Sequence, residues 1–168
     1  ERLKGLQVSA NYLDIFRINP ALGRRFLPSE DQPGEDNNVV ILTHGLWQRR
    51  FGGDPAAIGR TIRINHENHT IIGVLPPRPV LDPGVELFLP YVLTREPHHQ
   101  TRENHLFFAV GRLRAGVSVE QAQSEMSAIK QRLSPDYPAF KRDWGYLLVP
   151  LHRQLVGNTR RTLLVLFG

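Results

Sequence analysis

The clearest hydrophobic pattern in the chain lies between Val39 and Pro76. Val39, Val40, Ile41 and Leu42 form an unbroken, largely β-branched apolar run, which predicts a short strand buried on both faces. Leu46, Trp47 and Phe51 then recur at helical spacing, and Thr43 ahead of them predicts the N-cap. Gly52 and Gly53 end that helix. Asp54-Pro55 predicts a second, single-turn start running to Ile58 and stopped by Gly59. Thr61 to Ile64 alternates, His66-Glu67-Asn68 predicts a turn, and His69 to Val74 alternates again, so the pair reads as a hairpin. Its apolar face, with Ile62, Ile64, Ile71 or Ile72, and Val74, needs cover, and the helix bearing Trp47 and Phe51 is the nearest source of it.

The flanks follow weaker rhythms. Leu3 to Val8 predicts a strand, and Ser9 or Asn11 caps a helix carrying Tyr12, Leu13, Ile15 and Phe16 that ends before Pro20. Gly23 and Pro28 punctuate a loop, and Ser29 to Asn38 is polar and turn-rich, an exposed connection. The proline-rich stretch from Leu75 to Pro90 encloses a strand at Val85 to Leu89, as a crossover between two lobes or the rim of one. Thr94 to Asn104 reads as a loop and His105 to Leu113 as a strand. Ser118 with Gln121 matches a capping box, and Val119, Ala122, Met126, Ile129 and Leu133 form one stripe of a helix expected to pack on a sheet and to stop at Pro135 and Pro138. With a further strand at Tyr146 to Leu151 the order is strand, helix, strand, a βαβ-like unit. From Leu163 the chain turns apolar. Six residues cannot cross a bilayer, which needs about twenty, but they suit the start of a spanning helix as well as an ordinary terminal turn.

Composition narrows the field. A chain of 168 residues, 40% hydrophobic, can bury a core as one domain or two small lobes. The formal net charge is +5, yet the arginines are scattered among acidic residues, which argues against a phosphate-tracking surface and so against nucleic acid as a partner. With no cysteine there is no thiol catalysis, disulfide or thiolate metal site, and the compartment stays open. The first residues are charged and carry no signal peptide, which reads as a fragment of something longer.

Chemistry is sparse. Neither glycine-rich phosphate loop is present, and Gly116-Val117-Ser118-Val119-Glu120 does not complete a nucleophile elbow. His44 follows the buried strand, where hydrolytic folds place catalytic residues, but no partner is identifiable, and shaping the helix start is the simpler role. His98, His99 and His105, with Glu103 near, could be drawn as a metal site, yet their spacing fits no strong ligand template and loop histidines are usually solvated. Trp47, Phe51 and Met126 sit at core spacing. The residues therefore nominate no catalytic, cofactor-binding or metal site. The alternative that they leave open is a soluble periplasmic hydrolase or ligand-binding domain using His44 or the His98, His99, His105 group.

Five segments in order, Val8 to Phe26, Ile41 to Asn65, Ile71 to Pro77, Val110 to Met126 and Leu155 to Gly168, resemble the MacB-like periplasmic core domain of ABC transporter permeases, nearest the duplicated orphan-permease branch. The resemblance implies an α+β, two-lobed fold: a porter-like βαβ lobe from about 1–30 and 105–160, an inserted small mixed sheet-and-helix lobe at about 38–95, and the start of a transmembrane helix at 163–168. It implies a non-catalytic extracytoplasmic domain, not an enzyme, with no cofactor, that couples cytoplasmic ATP hydrolysis to export or mechanotransmission across the inner membrane. The implied partners are the chain's own transmembrane helices, a cytoplasmic ATP-binding domain or subunit, a homodimer mate or paired permease half, and in some cases a periplasmic adaptor.

Overall fold

A computed structural model describes residues 2–77, 84–94, 108–133, 135 and 145–154. The chain divides into two compact units, Glu1–Val110 and Gly111–Gly168.

The first unit is a mixed sheet built around β3, Val39–Leu42, whose four residues are all buried. Its neighbours are β6, Leu87–Pro90, antiparallel on one side, and β5, Glu67–Val74, parallel on the other. Beyond β6 lies β1, Gly5–Val8, in parallel. On the far edge of β5 two short strands share one side. Thr70 pairs with Val39 of β3 and also with Thr61 of β4, Thr61–Ile64, while Val74 pairs with Leu42 of β3 and with Leu22 of β2, Leu22–Gly23. Because β3 occupies one edge, β4 and β2 must divide the other.

Alternation along β3 explains its continuous apolar run. Val39 and Ile41 enter a cluster with Val8, Leu13, Phe26, Ile72, Leu75 and Phe88. Val40 and Leu42 enter the opposite cluster with Leu46, Ile71 and Leu87. Both faces of this strand therefore leave water, as a run without polar positions requires.

The second cluster is covered by α2, His44–Phe51, whose Trp47 and Phe51 pack against it, as do Ile58, Ile62 and Ile64. This is the cover that the hairpin face demands. Thr43 Oγ1 accepts the Leu46 N–H at 3.4 Å, and Gly52 closes the helix at φ 62°. Asp54 caps a 3₁₀ turn, Pro55–Ala57, by accepting the Ala56 N–H at 2.8 Å, and Trp47 Nε1 donates to the Asp54 carbonyl at 2.9 Å. Helix and turn are thus joined by a side chain that also serves the core.

The hairpin turn is tighter than its sequence predicts. Ile64 pairs with Glu67, so Asn65 and His66 alone make the reversal, at φ 49° and 73°. A two-residue turn with both φ positive matches the right-handed strand twist, and asparagine tolerates that region well.

On the other face, α1, Tyr12–Ile15, is one turn without a side-chain cap bond. Its end is closed by Ile18 N–H to Leu13 O at 2.9 Å and Arg17 N–H to Asp14 O at 3.0 Å, with Arg17 at φ 56°. β1 and β2 both belong to the sheet of the first unit. The short β2 escapes sequence reading because it rests on backbone approach: a Cβ on Gly23 would stand 2.1 Å from the Ile72 carbonyl oxygen.

The second unit contains α3, Val119–Leu133. Its capping box is reciprocal: the Ser118 N–H donates to Gln121 Oε1 at 2.9 Å, and the Gln121 N–H donates to Ser118 Oγ at 3.2 Å. Of the apolar stripe only Ala122 is buried, while Ile129 and Leu133 are each 41% exposed. The expected strands on either side differ too. Residues 108–113 and 145–150 carry no regular secondary structure, and Phe108 is fully exposed. Strand propensity is realised only through a neighbouring ladder. At 146–148 the backbone is held by a side chain instead, with Gln123 Nε2 donating to Tyr146 O at 2.7 Å and Oε1 accepting the Leu148 N–H at 2.8 Å. The α+β class stands. The apolar stretch 163–168 and residues 105–107 lie outside the described residues.

Candidate functional site

His44, the catalytic candidate of the sequence, begins α2 and is half-buried. Its ring meets Trp47 edge-on, 5.4 Å between centroids at 69°. Trp47 itself packs against the second core cluster, so the His44 ring lies at the margin of that packing. His98, His99, Glu103 and His105 lie outside the described residues, and among the described residues no group of three potential ligands could hold a metal ion. His69 is buried on β5 with Nδ1 3.3 Å from the Glu67 carbonyl oxygen, a contact within its own strand.

A concave feature of the first unit lies where none of these residues is. Ser9 follows β1 and Tyr91 follows β6, so the carboxyl ends of the parallel pair meet there. Together with Leu93 and with Asp31, Gln32 and Pro33 they line an open cleft of about 420 Å³. Such ends of parallel strands are where open sheets commonly place ligands, because the chain must depart there and leaves a crevice.

The loop that forms one wall is pinned at several points. Glu30 is buried, takes Arg24 in a two-point ion pair, and accepts the Leu27 N–H at 2.7 Å. The bond to Glu30 raises the Arg24 pKa above its ordinary value. Asn37 Nδ2 donates to the Glu30 carbonyl at 2.7 Å and to the Gln32 carbonyl at 3.1 Å. Asp31 Oδ2 accepts the Ala10 N–H at 2.8 Å, tying the loop to the end of β1. The sequence reads 29–38 as an exposed connection, and most of it is exposed; its tie to Ala10, 21 positions away, is invisible to any local pattern.

A mixed sheet with α1 on one face and α2 on the other, followed by a separate unit bearing α3, is the α+β architecture of the chain. Residues 2–129 match the MacB-like periplasmic core domain family, and the chain belongs to it, among the periplasmic domains of ABC transporter permeases. No curated protein matches the chain. Among solved structures, the periplasmic region of MacB from Actinobacillus actinomycetemcomitans aligns with a TM-score of 0.53 at 17% identity, over 77% of this chain and 56% of that one. A domain of a protein described as a permease, from Porphyromonas gingivalis, aligns with a TM-score of 0.50 at 23% identity, over 76% of this chain and 53% of that one. At these identities the likeness concerns the fold, and the chain spans just over half the length of either structure.

Proposed function

We propose that the chain is a non-catalytic, extracytoplasmic domain of an ABC-type permease in the inner membrane. Its work is to carry movement. ATP hydrolysed by a cytoplasmic domain or subunit shifts the spanning helices, and this domain transmits the shift to substrate or partner, beside a second permease half. The observation that carries the reading is the family match over residues 2–129. The sheet suits such a role, since β3 is packed on both faces and transmits displacement with little internal give. Among the described residues no helix is long and apolar enough to cross a membrane, so the anchoring belongs to segments other than these.

The 168 residues hold no cysteine, so once any cysteine elsewhere in the full-length permease is replaced, a single introduced thiol reports the topology of this domain. A single Glu35→Cys substitution on the exposed loop, placed in the full-length permease, is exposed to a membrane-impermeant maleimide in intact spheroplasts. Labelling before lysis supports the extracytoplasmic assignment, and labelling only after lysis overturns it. Spin-label distances across a pair of full-length subunits then test the mechanical part, which fails if they do not change between nucleotide-free and ATP-bound states.

A further inference from the structure

The cleft beside β1 and β6 sets one oriented carboxylate against an apolar wall, and that combination selects a ligand chemistry. Asp31 Oδ2 accepts the Ala10 N–H at 2.8 Å and Oδ1 accepts Gln32 Nε2 at 2.6 Å. A carboxylate has about four acceptor positions, so these two neutral donors fix its direction and leave capacity for a charged donor. Pro33, Tyr91 and Leu93 supply the wall, with Leu93 58% exposed. Glu35 and Asp36 follow on the same loop, exposed, so this part of a chain of net charge +5 is locally acidic.

We propose that the cleft takes an arginine side chain presented by a partner polypeptide. A guanidinium matches a carboxylate in a two-point geometry and stacks on an aromatic ring, and its aliphatic stem is at ease along an apolar wall. A polypeptide fits better than a free small cation because the cleft is open along the loop, where Glu35 and Asp36 attract further positive charge on the same partner. This inference rests on the cleft and not on the transport reading.

The test follows backbone amide shifts in the 168-residue chain during titration with acetyl-Leu-Arg-Leu-amide, acetyl-Leu-Gln-Leu-amide and N-acetyl-argininamide. The arginine tripeptide is expected to shift the amides of Ser9, Gln32, Tyr91 and Leu93, and the glutamine tripeptide to bind about tenfold more weakly, the worth of one charge-assisted bond. Asp31→Asn should weaken the arginine tripeptide by about the same factor. Leu93→Lys, which leaves the Ala10–Asp31 bond in place, should do likewise by repulsion. Equal binding of the arginine and glutamine tripeptides overturns the proposal, as does unaltered binding in both variants or shifts confined to other residues. If N-acetyl-argininamide binds as tightly as the tripeptide, the polypeptide partner is overturned.

Discussion

Arg24 holds Glu30 with both arms of its guanidinium, Nη1 to Oε2 at 3.0 Å and Nη2 to Oε1 at 2.6 Å, while only 7% of the Glu30 side chain is exposed. This pair fixes the loop that walls the cleft. Arginine is 44% exposed and can be solvated alone, but the carboxylate cannot. Arg24→Ala is therefore expected to cost more than an ordinary surface ion pair, about 2 kcal/mol, by leaving a buried carboxylate with the Leu27 N–H as its remaining protein donor. Glu30→Gln, which keeps the shape and one acceptor, should cost about 1 kcal/mol. Urea unfolding of the two variants checks the order; equal and negligible costs would mean that the loop is held without the pair.

Two glycines let β2 approach β5. A Cβ on Gly23, at φ 72°, would stand 2.1 Å from the Ile72 carbonyl oxygen, and one on Gly73 would stand 2.5 Å from the Arg24 carbonyl oxygen. The obstacle in each case is backbone, which cannot swing aside. Gly23→Ala and Gly73→Ala should each destabilise by about 2–4 kcal/mol, combining overpacking with, at Gly23, left-handed strain. Thermal unfolding checks this, and a change within experimental scatter at both positions would remove β2 from the sheet.

Acid should loosen α3. Glu120 lies in its first turn, where its own backbone N–H and the Ser118 hydroxyl favour the charged carboxylate and lower its pKa from 4.5. A depressed folded pKa means that the stabilisation is complete above the unfolded value and disappears as the pH falls through the folded one. Helicity followed by circular dichroism should therefore fall on acidification below about 4.5, and Glu120→Gln should flatten that step. An identical acid transition in the variant would assign the loss to other carboxylates. Arg24, with a raised pKa, adds nothing to this profile, because its contribution is present below the unfolded value and fades only in strong alkali.

What could be read from the sequence was local. The unbroken run of Val39 to Leu42, the Thr43 and Asp54 caps, and the Ser118–Gln121 box are each decided by residues within a turn of one another, and each stands in the structure. Long-range relations were not legible. The parallel partnership of β1 and β6 joins Leu6 to Phe88 across the whole unit. Asp31 reaches Ala10 over 21 positions, so a loop that looks free is anchored and a cleft forms where no motif marks it. Of the strands read at 105–113 and 146–151, the described residues 108–113 and 146–150 form none, for the same reason from the other side: their composition favours strands, but a strand exists only when a neighbour completes its ladder.

At 146–148 the Gln123 carboxamide takes the place of that neighbour. Its Nε2 donates to Tyr146 O at 2.7 Å and its Oε1 accepts the Leu148 N–H at 2.8 Å, the pair of bonds that one residue of an adjacent strand would provide. The arrangement couples α3 to the segment through the Gln123 side chain, while Leu147 is 81% exposed and adds little packing. Gln123→Leu keeps the helix propensity and removes both bonds, so it should cost about 1–2 kcal/mol locally. The readout is amide hydrogen exchange. In Gln123→Leu the Leu148 amide should exchange about tenfold faster or more, while amides in the middle of α3 are unchanged. Gln123→Glu separates the two bonds, since it retains the acceptor for Leu148 and loses the donor to Tyr146; its Leu148 protection should lie nearer the parent chain. If Leu148 exchanges at the same rate in all three proteins, the carboxamide does not hold the segment and its order comes from packing alone.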